Sequence, residues 1–249
     1  MTLGLTILAL ILLVLWFGVP LALRRWQVRR LGTYCAAHRV IVLTYDDGPS
    51  PETTTALADL LLRHGSVASF FMIGARAVAY PGLVARLLAE GHEIGNHTQS
   101  HLNAWKTTPL APVRDLRAGA HTLGHLGVPV GPFRPPYGKT TLATLLALWV
   151  GRCQTAFWTI DTRDSWEQPR SVAEVLDMIR HQRGGVVLMH DFAFPPRGAA
   201  NHHHPEHVLK MTEAILSFAT AQNFRLLRFG DMSVSGGGKS GPTDNYRKR

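Results

Sequence analysis

The run Val40-Ile41-Val42-Leu43 constrains the fold more than any other stretch. It is apolar and largely β-branched, which reads as a buried strand. It leads into Thr44-Tyr45-Asp46-Asp47-Gly48-Pro49-Ser50, so two adjacent carboxylates stand where the strand should end. Gly48-Pro49 turns the chain, and Ser50 is placed to cap a helix beginning near Pro51. Adjacent carboxylates repel and are costly to bury, so they need a metal or a cationic partner. Read alone, the stretch is equally well explained as a capped turn with two solvated acids.

From Val40 onward, strand-like and helix-like stretches alternate. Strands are expected at Val67–Met72, His92–Asn96, Thr155–Ile160, Gly185–His190 and Phe224–Leu227. Helices are expected at Pro81–Glu90, Leu110–Leu126, Leu142–Val150, Val172–Ile179 and His207–Ala221. This alternation predicts parallel strands with crossover helices, and a closed or nearly closed barrel is expected over an open sheet, although periodicity does not decide between them. The 249 residues suffice for one large α/β domain plus a short appendage, and no internal repeat is evident.

The appendage is expected at the N-terminus. Leu3 to Leu23 carries no charge and is rich in Leu, Ile and Val. As a helix it would span about 30 Å, the thickness of a bilayer core. It lacks the basic start and small-residue cleavage site of a signal peptide. The expectation is therefore a single-pass transmembrane anchor over residues 1–30, contacting membrane lipid, with Trp16 and Trp26 at its interfaces. Arg24, Arg25, Arg29 and Arg30 follow it, which by the positive-inside tendency favours the cytoplasmic side, while the sequence leaves the side of the domain open. The net charge is +9, and the arginines beside the apolar segment suggest an anionic membrane surface rather than nucleic acid. Residues 31–232 form the expected domain and 233–249 a disordered basic tail. Gly238-Lys239-Ser240 in that tail lacks the first Gly and the flanking elements of a phosphate loop. Cys35 and Cys153 match no metal or redox spacing and leave the redox compartment open.

Polar residues gather where strands should end. In His97-Thr98-Gln99-Ser100-His101 the four-residue spacing puts both imidazoles on one side of a helical turn. With one carboxylate they make the two-His, one-carboxylate set of open metal sites, although a spaced His pair alone is a weak signal. Phe133-Arg134-Pro135-Pro136-Tyr137-Gly138 reads as a rigid loop whose Arg134 can pair with a buried carboxylate, or as an ordinary turn. Asp161-Thr162-Arg163-Asp164-Ser165-Trp166 offers acids beside an aromatic, or a salt-bridged surface loop. Leu188-Met189-His190-Asp191 ends a strand with a proton donor or a hydrogen-bonded core His. His202-His203-His204 reads as part of a solvated loop between Phe192 and Pro205.

Taken in order, these five segments resemble the polysaccharide deacetylase family, the NodB-homology domain of carbohydrate esterase family 4. The resemblance covers roughly Val40 to Phe229 and includes Phe70-Phe71-Met72-Ile73-Gly74 and Glu90 to Asn96. It implies a distorted (β/α) barrel with the site at the C-terminal ends of the strands. It also implies a divalent metal, zinc by preference, on Asp47, His97 and His101. Asp46 would be the general base toward a metal-activated water and His190 the acid toward the departing amine. Arg134 would hold Asp46 ionised and Asp164 would orient His190. The backbone N–H of Tyr137 would meet the oxyanion, and Trp166 and Leu188 would wall the acyl pocket. Ser165 departs from the family, where acid and Trp are adjacent, and Asp161 is a rival partner for His190.

The implied activity is hydrolysis of the N-acyl group, N-acetyl by preference, of an amino-sugar polymer, oligosaccharide or lipid-linked glycan. Two alternatives stand beside it: a deformylase of a lipid-linked amino sugar, and a non-catalytic membrane-tethered carbohydrate-binding protein. A glycoside hydrolase would need its carboxylates about 5 Å or more apart across a sugar, whereas Asp46 and Asp47 are neighbours.

Overall fold

The computed structural model describes residues 2–192 and 204–232, without the side chains of residues 2, 3, 5, 6 and 8–14. His202, His203 and the expected basic tail lie outside the described residues. The chain opens with helix α1 (Thr2–His38), followed by strand β1 (Val40–Asp46) and α2 (Thr53–Arg63). Next come β2 (Ser69–Met72), α3 (Gly74–Ala79), α4 (Pro81–Ala89), β3 (Glu93–Asn96), α5 (Ala111–His125) and α6 (Leu142–Val150). The last part holds β4 (Ile160–Asp161), α7 (Val172–Gln182), β5 (Gly185–His190), α8 (His204–Ala221) and β6 (Arg225–Leu226).

β1 is buried along its whole length and lies at the centre of a parallel sheet ordered β3-β2-β1-β5-β4, with β6 against the start of β1. Bridges from Asn96 to Phe133 and from Phe133 to Thr155 carry the β3 edge onto the segment that becomes β4. That segment pairs with β5 through Ile160 and Asp161, so the ring closes as a distorted barrel. The strand expected over Thr155–Ile160 is reduced to a bridge and two ladder residues. Its start bonds toward Phe133 and its end toward β5, so it crosses between neighbours.

Strand alternation sorts the side chains. Ile41, Leu43 and Tyr45 of β1, with Phe70 and Met72 of β2 and Val187 and Met189 of β5, join the core formed with α2, α4, α7 and α8. Val40 and Val42, with Phe71 and Val186, join a second cluster that includes Leu31 and Cys35 of α1. Thr44 and Asp46 continue that second parity. One face of β1 is thus apolar at its base and polar at its C-terminal end.

The N-terminal expectation is overturned. No helix among the described residues is long and apolar enough to cross a membrane. Single-pass membrane localisation, the lipid contact and the inferred orientation fall with it. The structural difference is packing: α1 runs unbroken through Arg24, Arg25, Arg29 and Arg30 to His38 and lies against the domain. It also seats side chains on the domain. Phe17 meets Trp105 edge-to-face at 5.5 Å, the Arg24 guanidinium lies 5.1 Å from the Trp158 ring, and Leu31 and Cys35 are buried.

Candidate active site

Asp46 ends β1 and Asp47 follows in a left-handed conformation, with φ +74°. The following Gly48 is packed so closely that a Cβ there would collide with the Asp191 carboxylate. Asp191 is held in turn by Thr54, whose Oγ1 donates to Oδ2 at 2.6 Å, and its backbone N–H donates to the Asp46 carbonyl. Burial pushes the Asp191 carboxyl up to about 7.

His97 and His101 do not share a helical turn. The segment is a bent loop in which Thr98 and His101 take φ of +68° and +60°. Side-chain acceptors replace the helical ladder. Asn96 Oδ1 accepts from Thr98 N at 2.8 Å, and Thr98 Oγ1 accepts from His101 N at 2.9 Å. Asp115 of α5 accepts from Ser100 Oγ at 2.7 Å. A left-handed β-branched residue is uncommon and persists only where its surroundings enforce it.

The loop brings both imidazoles to Asp47. Its Oδ1 lies 3.3 Å from His97 Nε2 and 3.2 Å from His101 Nε2, yet makes no well-formed hydrogen bond. One ligand atom from each residue falls within 4.8 Å of the others. His97 Nδ1 lies 2.8 Å from the Arg134 carbonyl, which only accepts, so Nδ1 carries the hydrogen in the neutral ring. Its Nε2 lone pair then faces a buried carboxylate, an arrangement that requires a proton or a cation between them. The donor set therefore fits a divalent cation. The protonation tendencies agree. Burial opposes charge on His97, but Asp46 and Asp47 outweigh it and raise its pKa. Burial likewise works against ionised Asp47, and His97 and His101 hold its pKa low. At His101 burial wins and lowers the pKa to about 4.

Asp46 is anchored from behind. Arg134, fully buried, donates from Nη1 to Asp46 Oδ1 at 2.7 Å and to Thr44 Oγ1 at 2.8 Å, with its guanidinium 4.0 Å from the Phe71 ring. Asp46 Oδ2 is left toward His97, 3.8 Å from Nε2. Across the site, His190 Nδ1 pairs with Asp164 Oδ1 at 2.9 Å, and its backbone N–H donates to Asp164 Oδ2 at 2.7 Å. Burial disfavours the imidazolium, but Asp164 prevails and the pKa of His190 rises to about 10. Asp164 is held far below the usual carboxylate range despite its burial, by His190 and His204. Asp161 Oδ1 instead accepts from Arg163 N, which settles the rivalry for His190 in favour of Asp164.

A cleft of about 770 Å³ joins Asp46, Asp47, His97, His101, Tyr137, Trp166, Leu188 and His190. Arg134 and Asp164 are buried behind it. Tyr137 takes φ +57° and its ring lies 4.8 Å from that of His101. Trp158 also lines the cleft, which sequence reading missed because its strand-like run gave no sign of which face it presents. His204 was missed too: it is buried, with Nε2 3.2 Å from Asp164 Oδ2, not solvated.

The sequence model of the polysaccharide deacetylase family matches residues 33–149. A chitooligosaccharide deacetylase of Bradyrhizobium sp. (strain ANU 289) is 34% identical over 176 residues, 69% of this chain and 78% of that one. The chain belongs to the polysaccharide deacetylase family. A peptidoglycan-N-acetylglucosamine deacetylase of Bacillus cereus is 36% identical over 61% of this polysaccharide deacetylase and 73% of its own length. The crystal structure of the Bc1960 peptidoglycan N-acetylglucosamine deacetylase superposes with a TM-score of 0.69 at 27% identity, covering 79% of this chain and 89% of that one. The fold is shared as well with a family pseudoenzyme from Bacillus anthracis, with a TM-score of 0.64 and 20% identity over 79% and 66% of the two chains.

Proposed function

We propose that this carbohydrate deacetylase removes N-acetyl groups from an amino-sugar glycan in a metal-dependent hydrolysis. The observation that carries the reading is the convergence of Asp47, His97 and His101 on one point, with Asp46 beside it and His190 facing the same cleft. The named substrates of the relatives, chitooligosaccharide and peptidoglycan N-acetylglucosamine, support an acetylated amino sugar. Asp47, His97 and His101 would hold the cation, zinc by preference, which supplies Lewis acidity and brings the pKa of a coordinated water toward roughly 7.

The chain's own residues do the rest. Arg134 fixes Asp46 Oδ1 and leaves Oδ2 to take the proton of the attacking water. The backbone N–H of Tyr137 meets the oxyanion that forms on the carbonyl. His190 Nδ1 is committed to Asp164, so Nε2 delivers the proton to the amine nitrogen as the C–N bond breaks. Its raised pKa keeps it protonated at neutral pH. Leu188 and Trp166 border the space for the acyl methyl.

The test is acetate release from N-acetylglucosamine oligomers by the full chain, with zinc or with chelator, in wild type, Asp46→Asn and His97→Ala. Asp46→Asn is expected to bind zinc normally and lose about 10²- to 10⁴-fold in rate, whereas His97→Ala loses both. Equal zinc affinity in the two variants would sink the assignment. Zinc-independent release would do the same.

A further inference from the structure

On the reading above, His190 works only while Asp164 aims it, so what holds Asp164 matters in turn. Asp164 Oδ1 meets His190 Nδ1 at 2.9 Å, and Thr162 Oγ1 lies 3.1 Å from it with its single hydrogen shared with the nearer Leu188 carbonyl at 2.8 Å. Asp164 Oδ2 accepts the His190 backbone N–H at 2.7 Å and meets His204 Nε2 at 3.2 Å. Among the described residues, His190 and His204 supply the nitrogen donors that hold this carboxylate. His204 is 3% exposed, begins α8 and is not among the residues lining the cleft, so among the described residues it reaches the chemistry through Asp164.

We infer that His204 is a positioning residue for the deacetylation, donating Nε2–H to Asp164 Oδ2 and so fixing the carboxylate that aims His190. The terminal torsion of an aspartate is broad, and its plane is set by the donors around it. Without His204, Oδ2 keeps only the His190 backbone N–H among the described residues, and Asp164 can turn from the ring nitrogen it serves. His190 would then lose alignment and part of the support for its charge. Other groups act on this pair as well. Asp46 and Asp47 at the end of β1 raise His190, and His101 lies near enough to feel its charge. Tyr45 lies within electrostatic reach of both Asp164 and Asp191, and on α8 His207 senses Asp164, His204 and Lys210. Neither Tyr45 nor His207 is hydrogen-bonded to Asp164 Oδ2.

The experiment compares full-chain wild type, His204→Leu and His204→Gln, whose side-chain amide can also donate to Asp164. Zinc-loaded protein is assayed for kcat and KM across pH, and the His190 ring is titrated by 15N NMR. His204→Leu is expected to lose about tenfold in kcat with little change in KM. The alkaline limb of its rate profile and the His190 midpoint should both move to lower pH, and His204→Gln should recover most of each. If His204→Leu does not fold, His204→Met makes the same donor-free comparison. Wild-type behaviour in the folded donor-free variant overturns the proposal, as does equal damage in the Gln variant. The NMR arm needs no turnover. A protein that deacetylates nothing would defeat the functional reading, while the His190 midpoints still decide the role of His204.

Discussion

Asp46 and Asp47 are one peptide unit apart, yet their surroundings give them different work. Asp46 is bound at one oxygen to a buried cation, and Asp47 faces two imidazole nitrogens. Across the cleft, the His190–Asp164 pair ties this chemistry to the stability of the fold. His190 is raised to about 10, so its contribution is complete below the unfolded imidazole value of about 6.5 and is lost as pH rises toward 10. Asp164 is lowered, so its contribution is present above the unfolded value of about 3.9 and is lost as pH falls through its folded value. The melting temperature of wild type should therefore exceed that of Asp164→Asn most between about pH 4 and 6.5. The gap should narrow steadily toward pH 10. A gap of constant size from pH 6 to 10, measured by scanning calorimetry, would refute the coupling.

Among the elements, α5 does most to shape the candidate metal site. Gly119 lies so close to the loop that a Cβ would come within 2.6 Å of Asn96 Oδ1 and of the Thr98 backbone. Gly119→Ala is expected to push α5 away, cost about 1–3 kcal/mol by overpacking and weaken zinc binding. Titration with zinc checks this, and unchanged affinity would mean that the loop holds its shape unaided. Gly119 was illegible in the sequence because nothing in a helical pattern shows what lies against one of its glycines. The strands were legible because burial on both faces demands apolar runs, as in Val40–Leu43 and Gly185–Met189. Periodicity cannot show that side chains such as Asn96 and Asp115 will displace helical hydrogen bonds, so His97–His101 read wrongly as a turn of helix. Short α3 offers too few residues to display a period. Four of the five polar segments were legible as a set because each stands at or beside the end of a strand, whereas Phe133–Gly138 meets the sheet through isolated bridges at Phe133. The partner of Asp164 on α8 was not, since His204 comes from a run of identical residues whose contacts depend on tertiary packing.

At the scale of the whole molecule, α1 belongs to the catalytic domain. Its Phe17 supports Trp105, whose Nε1 donates to the Thr140 carbonyl at 3.0 Å, and Lys139 lies 5.0 Å from the Trp105 ring and 5.8 Å from that of Tyr137. Arg24 backs Phe157 and Trp158. A chain cut to begin at Arg30 loses both supports. It should melt at a lower temperature than the full chain and lose turnover, even though none of the proposed catalytic residues is removed. Equal melting temperature and kcat for the two chains would show that the helix contributes nothing to the site.

The same packing sets an order of events during synthesis. Residues of α1 are made before their seat: the aromatic surface that receives Arg24 is completed only when Trp158 has been made, roughly 130 residues later. At about 5–20 residues per second, the helix waits on the order of ten seconds or more for its seat. Throughout that interval an apolar nascent segment stays without its partner surface, before the barrel can claim it.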